Sequence, residues 1–572
     1  MNFVRCFAIA SLVAAIGCGA RGPERPRDVR ASAQDGVVAI SWNPAPGAAS
    51  YRVQLVDLET HAPLSAAVAV RGTQATLRGA FSQGAGVWVD ALPGGRAVGA
   101  VTAGAIGGTG AAWQMFGPQD FRGGVLQAGF PQLAPTERLG VLLVNTDGRD
   151  DAQAQVEVSG VALEKAAPQR SALRAVAWHP QALHAPEPDL KGVVAAPPDP
   201  AAPEPSPPDA HRSFCVVPGL DFSRHLRKPA TRVALTAHGA FYVDDDDLAH
   251  YQAPLVDALS QAYEGRVWPS DTAAFGAPTD VDGNGRILVL LTHELGAHLN
   301  GGWLIGYFGN SDLLRARDDS PDCSSGGSNH GEIVYLNDVR NGVANGYSAR
   351  ELSDTVYPAT LAHEIQHLLN LGHRCVERRC EGGEATWINE ALSKVAEDLA
   401  GYGWNGALGR SEGAAYLSRS DGDLRGYDGR SLTRWEGDPI GNYQGAHSFL
   451  RFFADRLGPQ LASAVEGGAG GRDGLEDALG RPLSRAMAEW ATALLVSNEP
   501  GAAYSYSGDG WSPLHQRLRR LETRAPGAVA LRTDGIAAFL SGAGQNAPAR
   551  VSVRSGESTP PSVVVLRVPA AL

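Results

Sequence analysis

Hydrophobic and polar positions change rhythm along this chain, and the changes mark its parts. From Val37 to Trp42 they alternate with period two, and Tyr51-Arg52-Val53-Gln54-Leu55 alternates again after a Pro/Gly-rich turn. Successive side chains on a strand point to opposite faces, so both segments are expected to be half-buried strands. Val87-Trp88-Val89-Asp90-Ala91 adds a late strand to the same unit, a β-sandwich assigned to residues 22–98. A second β domain is expected over 105–185, with its clearest strands at 139–145 and 154–161. Residues 186–211 are rich in proline with little apolar bulk, which predicts an extended, semi-rigid linker.

Beyond Arg212 the texture becomes mixed α/β. Phe241-Tyr242-Val243 and residues 287–291 read as strands, and 249–263 as an amphipathic helix. Apolar residues recur at helical spacing over 357–371, again from Trp387, and again over 445–456 and 483–496. Alternation returns near residue 526 and runs to Val568. The expected architecture is multidomain: N-terminal β-sandwich domains, an α+β domain over 212–520, and a small C-terminal β module over 526–572.

Composition narrows the partners. The chain has 572 residues, 44% hydrophobic, which is enough for real cores and excludes a disordered chain. Its net charge is −12 with no basic run, so a nucleic-acid partner is not expected. The first residues place an apolar run, Phe7 to Ile16, behind Arg5. That run is far shorter than the ~20 residues of a membrane span, so residues 1–17 are expected to be a signal peptide. Ala15-Ile16-Gly17-Cys18 resembles a bacterial lipobox, which implies a membrane anchor through a lipidated Cys18 and a place in the cell envelope or outside the cell; an ordinary secretory signal is the alternative. A monomer is expected. Four further cysteines suggest two disulfides in an exported chain. Cys375 with Cys380 would close a tight loop and leave Cys215 with Cys323, though four cysteines allow three pairings.

Two acidic runs need weighing. Asp244 to Asp247 precede a helix, where carboxylates cap free N–H groups and suit the helix dipole. Asp280, Asp282 and Asn284 match the first half of a calcium-binding EF-hand loop, but its twelfth position is Leu291 instead of a bidentate Glu. Calcium is a candidate there, against a tight Asp/Gly turn.

The chemistry concentrates in Leu361-Ala362-His363-Glu364-Ile365-Gln366-His367. His363 and His367 sit four apart on a predicted helix, so their rings share a face about 6 Å apart along the axis and can bind one Zn2+. Glu364 falls beside the pair, placed to act on a water at the metal without ligating it. For a third ligand, His373 completes a His-Glu-x-x-His-x-x-Asn-x-x-His spacing with Asn370 at its turn position, a metzincin-type pattern. Against it, neither Met115 nor Met487 is placed for the Met-turn that such a protein needs. Glu390, which opens the next helical pattern 23 residues after His367, is the stronger candidate.

Three resemblances follow from these residues. Residues 22–98, with Trp42 and Tyr51 at core positions, resemble a fibronectin type III domain. His363, His367 and Glu390 resemble the ligand set of the gluzincins, the thermolysin-like zinc peptidases. The order Asp280 to Gly285, Ser328-Asn329, Leu361 to His367 and Trp387 to Ser393 is similar to the hyicolysin-like neutral zinc metallopeptidases. The resemblance implies an α+β zincin catalytic domain over 212–520. It implies an extracytoplasmic metalloendopeptidase that hydrolyses peptide bonds of a protein or peptide substrate by zinc-activated water, with Glu364 as general base. It also implies an oxyanion donor in the segment around Tyr443, with His447 second, and a peptide-binding edge strand at Glu332 to Asn337. One departure stands out. Thermolysin-like chains carry an Asp four residues after the ligand Glu, and this chain has Lys394; Glu397 or Asp398 would then orient a zinc histidine. An adhesion or binding lipoprotein with an inactive zincin domain is the competing class, and retention of Glu364 argues against it.

Overall fold

The computed structural model describes residues 26–569, apart from 104–112, 163–180, 185–207, 297–301, 379–383, 403–430, 435–438, 497–522 and shorter stretches. The signal region with Cys18, most of the linker and Cys380 lie outside the described residues, as does the side chain of Tyr443. Two compact units result, Met1–Val101 and Thr102–Leu572.

In the first unit the strands Arg27–Gln34 and Val37–Asn43 pair antiparallel, as do Ser50–Asp57 and Ala85–Leu92. Period-two alternation turns Val38, Ile40, Trp42, Tyr51, Val53, Val87 and Val89 into one core. Trp42 and Tyr51 meet edge to face at 5.2 Å, and the Tyr51 hydroxyl accepts the Ala45 N–H.

The second unit corrects an expectation. Strand Glu137–Asn145 runs antiparallel between Gly535–Leu540 and Ser562–Pro569, and Ala152–Ser159 lies between Ala528–Leu531 and Ala547–Ser555. The described strands between Trp113 and Ser159 and those between Thr523 and Pro569 therefore build one sandwich, whereas Gln181–His184, expected in the same β domain, joins the sheet of the next region. Local alternation shows that each is a strand region, but the partners lie some 400 residues apart and leave no local signal. Along Glu137–Asn145, Val141 and Leu143 face the inner core with Phe130, Phe539 and Val565. Leu142 and Val144 face the opposite way and join the largest core, among the helices of the 212–520 region.

That region is built on a seven-stranded mixed sheet among the described residues. Its spatial order is Gln181–His184, Gly302–Phe308, Ile333–Asn337, Ile287–Thr292, Gly239–Asp244, Leu226–Leu235, His211–Val216. The Ile333–Asn337 strand, expected at an edge, is interior, between Gly302–Phe308 and Ile287–Thr292. Its unbroken apolar run explains this, because every residue of it is buried. Gly302–Phe308 is paired on its outer side with Gln181–His184, in parallel. Asp244 caps a short helical turn, Asp245–His250, by accepting the Asp246 N–H, and the helix Ala253–Ala262 follows. Lys228 and Arg340 form ion pairs with this acidic run, and His293 Nδ1 lies 2.9 Å from Asp247 Oδ1.

The sheet's two faces serve different neighbours. Val289, Ile305, Val334 and Leu336 join the helical core, whereas Leu288, Leu290, Leu304 and Tyr335 close a smaller core on the far side. Four helices matter for the site: α1 (Tyr357–Leu371), α2 (Thr386–Leu399), α3 (Pro439–Leu457) and α4 (Leu483–Val496). Close approach of α1 to the sheet depends on Gly306, where a Cβ would stand 2.7 Å from Tyr335 O and 2.8 Å from Thr360 Cγ2.

Cys215 and Cys323 form a disulfide across 108 residues. Cys375 is also disulfide-bonded, its partner outside the described residues. Cross-linking a loop of about 100 residues restricts the unfolded chain by about 4–5 kcal/mol in the chain-entropy account. Cys215→Ala/Cys323→Ala is therefore expected to unfold at distinctly lower urea concentration than the parent; coincident unfolding curves would count against it.

Candidate metal centre

α1 is unusual in having no polar face toward water: all fifteen residues are buried. Its polar side chains must consequently find partners inside the protein. The helix enters through a Ser348/Glu351 capping box and a π-turn at Leu352–Val356, and leaves through a second π-turn at Gly372–Glu377. Such turns are frequent at functional sites. α2 crosses beside it, with Glu390 on its inward face.

His363 and His367 face each other with ring centroids 4.8 Å apart and planes at 80°. Glu390 reaches between them: Oε2 lies 3.1 Å from His363 Nε2 and 3.5 Å from His367 Nε2. Two donors held ~2.0–2.1 Å from one zinc ion at a tetrahedral angle are themselves about 3.3 Å apart. The spacing and the two-imidazole, one-carboxylate donor set fit that ion. The same contacts push His363 and Glu390 toward their charged forms. Burial alone would lower the pKa of His363, but hydrogen bonds to Glu390 and Glu397 outweigh it and raise the value. Burial likewise works against the charge on Glu390, yet His367 and His363 hold it well below the usual carboxylate range.

Around these three the structure adds a supporting layer. His363 Nδ1 lies 2.9 Å from Glu397 Oε1, and Glu397 Oε2 lies 2.7 Å from Lys394 Nζ. Ser393 Oγ is 2.9 Å from Gln366 Oε1 and 3.2 Å from His367 Nδ1. Glu364 is 1% exposed, beside His363, whose titration its charge affects. Of the two carboxylates that the sequence offered as orienting groups, Glu397 meets the histidine. Asp398, one residue on and about 100° around the helix, binds His447 Nε2 at 2.7 Å and Arg451 instead. Ser393 and Gln366 were not singled out from the sequence; a serine three residues after Glu390 was the available signal.

His373 is placed elsewhere. Its Nδ1 lies 2.8 Å from Glu466 Oε1 and its Nε2 2.7 Å from Ala277 O. The metzincin-type reading needs the chain to turn at Asn370, but α1 continues helically through it to Leu371. Breaking the His373–Glu466 pair should destabilise the fold instead, since it leaves a buried carboxylate without its partner.

The Asp280 loop closes on itself. Asp280 Oδ1 accepts the Gly285 N–H, Asp282 Oδ1 the Asn284 N–H, and Asn284 Oδ1 the Arg286 N–H. Arg212 stands 3.4 Å from Asp282, and Leu291 is buried in a strand. The carboxylate that joins Asp280 and Asp282 is Glu332, one oxygen of each lying within 4.8 Å of the others, and Asn284 stays against Asp282, its Nδ2 2.5 Å from Oδ2. Burial pushes the Glu332 pKa up to about 8, with Asp282 and Asp280 reinforcing it against hydrogen bonds from Thr279 and Val281. The folded protein thus holds a proton there that the unfolded chain, with an ordinary value of 4.5, has lost. Stability from this group is present at low pH and falls as pH rises through that window. Glu332→Gln, neutral at every pH, should flatten the decline in melting temperature between about pH 5 and pH 8; an unchanged slope contradicts the assignment.

No family model matches the chain. It is 24% identical over 263 residues to the neutral metalloprotease ShpI of Staphylococcus hyicus, which covers 45% of this chain and 56% of that protein. The chain thus spans a little over half the length of that curated relative. Among solved structures, the FN5 domain of Drosophila Lar is 19% identical, with 13% of this chain and 88% of that one covered at a TM-score of 0.11. Over part of its length, this chain is a distant homologue of a neutral metalloprotease.

Proposed function

We propose that the chain is an extracytoplasmic zinc metalloendopeptidase of the gluzincin type, with His363, His367 and Glu390 as the metal ligands. The observation that carries this reading is the convergence of those three donors within 4.8 Å of one another, all buried, in a homologue of a metalloprotease. Bound there, zinc would supply Lewis acidity, bringing the pKa of a coordinated water toward ~7 and polarising the scissile carbonyl. The protein's own residues do the rest. Glu364 accepts the proton of the attacking water and returns it to the leaving amine, the role of a general acid–base. Glu390 and the two imidazoles would hold the ion through three donors, the ligand number of a catalytic zinc site. Charge developing on the carbonyl oxygen is assigned to Tyr443 on α3; His447, the second candidate, is held by Asp398.

The location rests on the signal-like first residues and on the Cys215–Cys323 disulfide, which suits an oxidising compartment. The lipobox-like Ala15-Ile16-Gly17-Cys18 makes a lipidated Cys18 the proposed anchor; no described helix is long and apolar enough to cross a membrane. The Trp42–Tyr51 core supports the fibronectin type III-like reading of the first unit. The test is casein hydrolysis by the purified chain. A zinc chelator should abolish it and added Zn2+ should restore it; full hydrolysis in the chelated protein would refute the proposal.

A further inference from the structure

We propose that Glu397 is the positioning residue that fixes His363 for the metal, and that Lys394 holds Glu397 in place and balances its charge. This rests on the reading of His363, His367 and Glu390 as zinc ligands. Residues 390, 394 and 397 are spaced i, i+4 and i+7, so they share one face of α2 over about 10 Å of axis. The His363 ring lies across that face, with Nε2 toward Glu390 and Nδ1 toward Glu397. An imidazole that binds a metal through one nitrogen keeps its proton on the other. A carboxylate facing that N–H sets both the tautomer and the rotation of the ring.

Glu397 is 3% exposed, where an isolated carboxylate would be costly. Lys394 meets its second oxygen at 2.7 Å, and its side chain is itself largely buried. Where the thermolysin-like resemblance would place an orienting Asp, this chain has Lys394, which contacts Glu397 one turn further along α2. Asp398 is not available for the same task, because His447 and Arg451 engage it.

The experiment measures zinc affinity of the full chain by competition with a chelator of known affinity, together with the visible spectrum of the Co2+-loaded protein. Glu397→Ala should bind zinc about 10–100-fold more weakly and shift the Co2+ spectrum. Glu397→Gln, which can still accept the Nδ1 proton, should lose less, and it carries the test if the alanine variant does not fold. Lys394→Asp in the Glu397→Ala background should recover part of the affinity, because it returns a carboxylate to this face one turn nearer. If Glu397→Ala and Glu397→Gln both bind zinc within about twofold of a zinc-binding parent, the positioning role is wrong. If the parent itself binds no zinc, the metal reading beneath it is wrong instead.

Discussion

Glu364→Gln should purify with one zinc per chain and lose casein hydrolysis by about 10²–10⁴-fold, the usual contribution of a positioned general base. The substitution is nearly isosteric and sits on a helix with no exposed residue, so the fold has little reason to change. Glu364 is outside the group formed by the three converging donors, so the metal content should not change either. What disappears is a carboxylate able to take a proton from water. Full activity in this variant would refute the assignment of the base; loss of zinc along with activity would show that Glu364 acts on the metal site itself.

The second large effect separates the two sets of metal ligands that the sequence allowed. Glu390→Ala removes the donor that stands between both imidazoles, and zinc affinity should fall by more than the ~10–100-fold typical of an outer-layer residue. Activity should fall with it. His373→Ala should leave zinc content unchanged, because both of its ring nitrogens are engaged by Glu466 and Ala277. Its cost should appear in stability, because the buried Glu466 carboxylate loses the His373 contact and keeps only Arg378 and Gln366. The opposite pattern, zinc retained without Glu390 and lost without His373, would establish the metzincin-type ligand set.

The two variants also show what could be read from sequence and what could not. His363 and His367 were legible because four residues of α-helix put them on one face whatever the rest of the fold does. Glu390 was legible as a carboxylate opening the next helix, although its position between the rings depends on how α1 and α2 cross. Glu397 was only half legible. Either of two adjacent carboxylates could have reached a histidine, and a rotation of about 100° between neighbours decided it. In the fold, alternation located the strands around 139–145 and 562–568 but not their pairing, since the hydrogen-bonded partners are some 400 residues apart. The interior position of Ile333–Asn337 was signalled by its unbroken apolar run, which fits a strand buried on both faces better than an edge. His373 stayed open as the alternative ligand because spacing alone cannot show that α1 runs on through Asn370.

The account depends most on a single cation held by His363, His367 and Glu390. Anomalous diffraction from crystals of the purified chain, recorded above and below the zinc edge, tests it most directly. One peak should appear ~2.0–2.1 Å from Nε2 of both histidines and from a carboxylate oxygen of Glu390. A zinc-loaded crystal with its anomalous peak elsewhere, or with the Glu390 carboxylate turned away from both rings, would contradict it.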